Sequence, residues 1–261
     1  MSNVGYEYRG MIASSWDLLR GDTSNYPDRG FFRDLIKRNG EPALIVGCGT
    51  GRLLLEYLAD GIDVEGVDVS PEMLAICQRK ADQEYLAVKL YTQSMEMLDL
   101  PRRYRTIAVP SASFQLVTEM DHAMRALVRF HQHLQPGGIL VISIWHIISE
   151  DSGGWGQWRL VAEEERLDDG KTIRRWERSK YEKKSQLRYT ENSYELLEDD
   201  VVVFTEEHAR SPEMRDYNPA QLSEMFRKAG YTSIHAISGF SSQPATEKDE
   251  VFVILGKKVG D

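Results

Sequence analysis

The sequence predicts an α/β chain: a seven-stranded, mostly parallel sheet with helices on both faces, preceded by a helical segment and interrupted after strand five by an antiparallel β insertion. Three observations carry that expectation. Apolar runs of strand length alternate with helically spaced segments from about residue 43 to about residue 145, the pattern of parallel strands joined by helical crossovers. A glycine-rich turn at Gly47, Gly49 and Gly51 separates the first apolar run from Leu53-Leu54-Leu55, and a second run ends on Asp68 about 20 residues later. Between about 152 and 216 the hydrophobic period changes to near two, which suits antiparallel strands.

Residues 1–40 read as helical, because Trp16-Asp17-Leu18-Leu19 and Phe31-Phe32-Arg33-Asp34-Leu35-Ile36 place apolar side chains at helical spacing. The first strand is expected over 43–47, a helix over 51–60 and the second strand over 63–68. Ser70-Pro71-Glu72 starts the next helix, over 71–82, with a serine cap, a proline at the first helical position and an acid in the first turn. A third strand is expected over 86–91 and a fourth over 104–109, which runs into a Pro110-Ser111 loop. Ala123, Ala126, Leu127, Phe130 and Leu134 mark one face of a helix, and the Pro136-Gly137-Gly138 turn leads to strand five over 138–145. Crossovers between such strands are right-handed.

In the insertion, 172–177, 187–190 and 201–205 read as strands joined by polar turns such as Asp168-Asp169-Gly170. A helix over 219–229 closes at Gly230, and 231–237 and 251–255 supply the last two strands. The expected divisions are therefore 1–40, a core over 41–150, the insertion over 151–217 and the rest of the core over 218–261.

A glycine loop beside an acid at the carboxyl ends of two parallel strands is a place where a nucleoside can lie. Spacing disfavours two nucleotide loops. The dinucleotide fingerprint needs a glycine at the sixth position from Gly47, where this chain has Arg52, and the lysine-serine or lysine-threonine end of a P-loop is missing. What remains, Gly-x-Gly-x-Gly after Ile45-Val46, resembles motif I of the class I S-adenosylmethionine-dependent methyltransferases, whose sheet is Rossmann-like. Ser70-Pro71-Glu72-Met73-Leu74 after Asp68, the segment from Arg103 through Pro110, Ser111 and Phe114 to Leu116, and His133-Leu134-Gln135-Pro136-Gly137-Gly138 agree with the same family. In layout the chain is similar to bacterial small-molecule methyltransferases, including sugar N-methyltransferases, with specific agreement in the cofactor half. Two positions depart from the family pattern: Ile45 stands where many members have an acid, and Gln93-Ser94-Met95-Glu96 replaces Gly-Asp-Met.

The resemblance implies S-adenosyl-L-methionine as cofactor and methyl transfer to a small-molecule acceptor by in-line displacement. It implies that Gly47, Cys48, Gly49 and Gly51 run under the methionine part and that Asp68 accepts hydrogen bonds from both ribose hydroxyls. Val69 and Met73 are expected near the adenine, with Ser94 and Met95 bordering it. Pro110, Ser111 and Phe114 are expected to line the reactive side, and Trp16, with Tyr8, to act as a lid residue. The amino-terminal helices and the insertion are expected to wall the acceptor pocket. A helix starting near Gly51 is expected to aim free N–H groups at the cofactor carboxylate. His146, directly after strand five, is the candidate general base, since an imidazole accepts protons near neutral pH. His122, His131 and His133 are assigned no chemistry. Two alternatives stay open: an NAD(P)-dependent oxidoreductase, disfavoured by Arg52, and a degenerate, non-catalytic S-adenosylmethionine-binding protein, motivated by Ile45 and Ser94.

Composition limits the remaining choices. A net charge of -9 argues against a nucleic-acid substrate, because proteins that grip phosphate backbones gather lysine and arginine. The basic run from Lys171 to Lys184 is interrupted by Glu177 and Glu182 and reads as the wet face of a sheet. No apolar run approaches the roughly 20 residues of a membrane span, and no secretory signal is visible. With Cys48 and Cys77 as the two cysteines, neither a disulfide framework nor a zinc site is expected, and no metal is assigned. A cytoplasmic enzyme is the reading. Oligomeric state is left open, a homodimer through the inserted sheet being one possibility.

Overall fold

A computed structural model describes residues 8–147 and 153–260, with backbone alone at 210–212. The first half of the chain forms α1 (Gly10–Arg20), α2 (Pro27–Asn39), β1 (Ala43–Val46), α3 (Leu54–Ala59), β2 (Val64–Asp68), α4 (Pro71–Gln83), β3 (Leu90–Thr92), β4 (Tyr104–Val109), α5 (Met120–His133) and β5 (Leu134–Trp145). The second half forms β6 (Arg159–Glu165), β7 (Thr172–Glu182), β8 (Leu187–Glu198), β9 (Val201–Arg215), α6 (Pro219–Lys228), β10 (Thr232–Ser238) and β11 (Val251–Lys257). Contacts divide the chain into one unit of Met1–Thr23 with Ser149–Arg215 and a second of Ser24–Ile148 with Asp216–Asp261. Among the described residues no helix is long and apolar enough to cross a membrane.

The second unit holds a seven-stranded sheet in the order β10-β11-β5-β4-β1-β2-β3. Strands β1 to β5 pair in parallel, whereas β11 runs antiparallel to both β5 and β10. Both faces of the sheet are covered, which is why β1 and β4 read as near-continuous apolar runs. Leu44, Val46, Ile107 and Val109 pack towards the Leu127 and Phe130 face of α5 and towards Leu222 and Phe226 of α6. Ala43, Ile45 and Ala108, one residue out of phase, pack with Phe32 and Ile36 of α2, Leu54 of α3 and Leu74 of α4. Because β1 lies between β4 and β2, the chain leaves it on one side and returns on the other, so the loops after β1 and β4 diverge and open a crevice.

Several details differ from the sequence expectation. The third strand begins at Leu90 rather than 86 and is three residues long; it is the edge strand, paired on one side only, so little holds 86–89 in the ladder. Strand five starts at Leu134, before the Pro-Gly-Gly turn, and a shift in register between Tyr104↔Leu134 and Thr106↔Ile139 absorbs the turn. A Cβ on Gly138 would stand 2.9 Å from the Gln135 carbonyl oxygen, so that bulge needs glycine. The segment expected as one helical lid over 1–40 divides: α2 buries Phe32, Leu35 and Ile36 in the core, and only the part through Thr23 groups with the insertion. Likewise, Asp216 and Tyr217, expected at the end of the insertion, group with the core.

The first unit is a four-stranded antiparallel sheet in the order β6-β7-β8-β9, with Met11 and Ile12 of α1 packed on Ile173 and Tyr194. Strand β6 has no counterpart among the expected strands, because Glu163-Glu164-Glu165 breaks the polar–apolar alternation. The basic run is paired along and across the strands: Arg174 with Glu163, Arg178 with Glu191 (Nη2 to Oε2 2.5 Å) and Lys180 with Glu182 (2.9 Å).

Candidate active site

The loop after β1 is held by its own backbone. Gly47 and Cys48 both donate their N–H groups to the Val67 carbonyl oxygen (2.8 and 3.1 Å), and Gly51 N–H donates to Cys48 O (3.0 Å). Each of the three glycines has a positive φ, at 69°, 54° and 90°. Their surroundings differ. A Cβ on Gly47 would stand 2.6 Å from Ser113 Oγ and one on Gly51 2.6 Å from Cys77 Sγ, whereas one on Gly49 would meet nothing within 4 Å. Gly47 and Gly51 are therefore required by packing, and Gly49 leaves an open side on the loop.

Asp68, the last residue of β2, borders the loop at Gly49. Its Oδ2 accepts the Gly49 N–H at 2.8 Å, and its Oδ1 accepts the Ser70 N–H at 2.9 Å. Burial pushes the carboxyl pKa above its ordinary value, while bonds from the Ser70, Gly49 and Val69 N–H groups pull it back. An ionised carboxylate has about four acceptor positions, so room remains beside these backbone donors for an external hydroxyl donor. Ser70 caps α4 by accepting the Met73 N–H at 3.1 Å, which puts Val69 and Met73 directly behind the acid; Val69 is half-buried and Met73 buried. Gln93 N–H donates to Asp68 O (3.1 Å), bringing Ser94 and Met95, both half-buried, beside the same strand end. An open cradle at Gly49 joined to an acceptor-only group at Asp68 fits the methionine and ribose parts of S-adenosylmethionine.

On the opposite side, Pro110 is buried and Ser111 half-buried, and Ser111 and Ala112 take left-handed backbone conformations (φ 54° and 60°) that non-glycine residues rarely adopt. Arg52 ties this loop to the glycine turn. Its guanidinium donates twice to Asp28 (Nη1 to Oδ1 2.9 Å, and Nη2 to Oδ2), once to Ser111 Oγ (3.3 Å), and lies 5.6 Å from the Tyr26 ring centre. The residue that breaks the dinucleotide fingerprint is thus a buried crosslink.

Two expectations are corrected here. The regular helix after the loop starts at Leu54 rather than near Gly51 and has six residues, although the Leu55 N–H already donates to the Gly51 carbonyl (2.9 Å). Phe114 exposes no surface; its ring packs 5.6 Å from that of Tyr217, so it supports the loop from beneath instead of presenting a wall. Cys48 contributes backbone rather than thiol chemistry, because burial, with the Asp68 and Cys77 charges, raises its thiol pKa well above the usual value. Trp16 belongs to the other unit, where its ring meets Tyr8 edge-on at 5.3 Å and lies 5.7 Å from the Arg20 guanidinium.

At the end of β5, Gln115 brackets Trp145: its Oε1 accepts the Trp145 N–H (2.7 Å) and its Nε2 donates to the Trp145 carbonyl (3.0 Å). His146 follows, with its N–H donating to the Glu250 carbonyl (2.8 Å) and its Nδ1 2.9 Å from Asp216 Oδ1. The same Oδ1 accepts the Ile147 N–H at 3.1 Å. Sequence reading missed Arg52, Gln115 and Asp216 as site residues. Asp216 lies 70 positions from His146, just ahead of the Asn218 helix cap, where an acid reads as part of an ordinary helix entry.

Residues 43–138 match a family profile described as "Methyltransferase domain". A dTDP-3-amino-3,6-dideoxy-alpha-D-glucopyranose N,N-dimethyltransferase from Streptomyces fradiae is 31% identical over 145 residues, covering 53% of this chain and 55% of that protein. The chain spans about half the length of the first curated relatives it matches (54%, 55% and 57%). Among solved structures, an S-adenosylmethionine-dependent methyltransferase from Clostridium acetobutylicum superposes with a TM-score of 0.75 at 20% identity, covering 96% of this chain and 98% of the other. An amino pentose methyltransferase of calicheamicin biosynthesis from Micromonospora echinaspora, solved with S-adenosylmethionine bound, superposes with a TM-score of 0.69 at 21% identity, covering 98% and 99%. At such identities these likenesses establish the fold. Residues 43–138 thus resemble a methyltransferase domain, and the chain has the fold of class I S-adenosylmethionine-dependent methyltransferases. The proteins it resembles include the N,N-dimethyltransferase named above and a solved structure described as a sugar N-methyltransferase, which superposes with a TM-score of 0.71 at 22% identity.

Proposed function

We propose that this protein is an S-adenosylmethionine-dependent methyltransferase that methylates the amine of an amino sugar or a similar small molecule in the cytoplasm. The observation that carries the reading is the joint between the Gly49 N–H and the Asp68 carboxylate, which places an open glycine backbone and an acceptor-only group at one crevice. The methyltransferase profile across that segment supports it, and the names of the Streptomyces fradiae and Micromonospora echinaspora proteins favour an amino-sugar acceptor. The dinucleotide alternative gains nothing, since Arg52 is committed to Asp28 and Ser111.

When bound, S-adenosylmethionine supplies a methyl group already activated by its sulfonium. The chain's part is positional. Asp68 accepts from the ribose hydroxyls, the 47–51 backbone carries the methionine part, and Val69, Met73, Ser94 and Met95 border the adenine. Pro110 and Ser111 face the reactive end, where orienting an acceptor in line is worth about 7–11 kcal/mol. His146 takes the proton the acceptor sheds.

Calorimetry with S-adenosylmethionine, followed by mass spectrometry of reactions containing a dTDP-linked 3-aminosugar, tests the proposal. Binding and formation of S-adenosylhomocysteine with a methylated sugar are expected. A protein that binds NADH and not S-adenosylmethionine would refute it.

A further inference from the structure

We propose that Asp216 is a positioning residue that holds His146 in one tautomer, with the proton on Nδ1 and the lone pair on Nε2. The inference rests on the methyltransferase reading only for its consequence, not for its geometry. Asp216 is 2% exposed and sits where the chain re-enters the core unit from the insertion. Its Oδ1 is shared by two neighbours, His146 Nδ1 at 2.9 Å and the Ile147 N–H at 3.1 Å. A backbone amide can only donate, so this oxygen is already acting as an acceptor; a carboxylate oxygen in that role requires the imidazole Nδ1 to bring a proton as well. The Ile147 amide in turn prevents the carboxylate from rotating away. Nε2 is left as the basic nitrogen.

The rest of the strand end is equally fixed. Trp145 is gripped through both backbone polar groups by Gln115, His146 N–H is bonded to Glu250 O, and the imidazole meets the buried Phe252 ring edge-on at 6.5 Å. The imidazole is therefore set by four elements: β5, β11, the turn after β4 and the entry to α6. It lies at the carboxyl edge of the sheet, on the strand next to the one that delivers Pro110 and Ser111. In methyl transfer, the acceptor's lone pair forms the bond to the methyl carbon while the carbon–sulfur bond breaks with its pair left on sulfur. The acceptor's N–H or O–H bond also breaks, its electron pair stays on nitrogen or oxygen, and the proton goes to Nε2. The resulting imidazolium faces the Asp216 carboxylate, which stabilises the charge before the proton passes to water.

The test is nitrogen-15 NMR on the full chain labelled at histidine, with the His146 signals assigned by loss in His146→Gln. In the neutral imidazole of the wild-type protein, Nδ1 is expected to carry the proton and Nε2 none. Asp216→Leu, which removes the acceptor, is expected to shift the proton towards Nε2, the site an unassisted imidazole prefers. A neutral wild-type imidazole with its proton on Nε2 overturns the proposal, as does an Asp216→Leu variant with an unchanged tautomer. Should Asp216→Leu fail to fold, the wild-type tautomer decides alone. With the dTDP-linked aminosugar as acceptor, Asp216→Leu is expected to lower kcat about 100-fold and leave KM for S-adenosylmethionine unchanged; an unchanged kcat refutes the proton-accepting role. Absence of wild-type turnover counts against the acceptor reading alone, and the tautomer result stands apart from it.

Discussion

The Gly49 amide and the Asp68 carboxylate meet at 2.8 Å, so the glycine loop after β1 and the tip of β2 form one unit rather than two facing walls. Each of the two groups thereby orders the other. The loop keeps its left-handed turn because the acid receives its N–H, and the acid tolerates burial because backbone donors surround it.

Asp68→Ala is expected to weaken S-adenosylmethionine binding by about 1.5–3 kcal/mol, the range for hydrogen bonds to a charged group. That corresponds to roughly 10- to 150-fold in Kd by titration calorimetry. Equal affinity in the variant and the wild type would remove Asp68 from the ribose site.

Gly49→Ala and Gly51→Ala separate ligand space from packing. Gly49 has open room for a methyl group, so its variant carries only the backbone strain of about 1–2 kcal/mol while its cofactor affinity falls. Gly51→Ala adds a clash with Cys77 and Leu55, worth about 1–3 kcal/mol more in stability. Urea denaturation of both variants beside calorimetry checks this. If Gly49→Ala binds normally, the open side of the loop is not the cofactor's.

Arg52→Ala or Asp28→Ala each leaves a charge stranded, with side chains only 12% and 9% exposed. Losses of about 3–5 kcal/mol are expected from each single variant. The double variant is expected to lose less than their sum, because the stranded partner is gone. Additive losses in a denaturation cycle would show that the two side chains act independently.

Glu65 sets an acid limit to stability. It is buried on β2, which by itself raises its pKa, but bonds from Tyr104 (2.6 Å), Arg102 (3.1 Å), Lys89 (3.3 Å) and Tyr91 (3.1 Å) bring it below the ordinary carboxylate value. A depressed acid stabilises the fold fully above its unfolded pKa, about 4.3, and that stabilisation is lost as pH falls through the lower folded value. Glu65→Gln is therefore expected to cost about 1.5–3 kcal/mol at pH 7 and progressively less as the pH drops below about 4. A difference between wild type and variant that does not change with pH would contradict the assignment.

Much of the core was legible because its determinants are local. Strand, glycine turn and strand tip follow from apolar runs, left-handed positions only glycine occupies freely, and an acid at a set distance, all contained between Ala43 and Asp68. The Ser70 cap and Pro71 start of α4 are equally local. Edge strands were less legible: β3 and β6 have neighbours on one side only, so burial prints a weak pattern on them.

By itself, the sequence determined the α/β core and the glycine turn and acid at the carboxyl ends of β1 and β2, since short-range backbone conformation and periodic burial are written residue by residue. Only the tertiary structure decided that α2 joins the core, that Arg52 reaches Asp28 and Ser111, and that Asp216 reaches His146. Those partners lie 24, 59 and 70 positions apart, and a side-chain pair brought together from separate elements leaves no periodic trace in either segment.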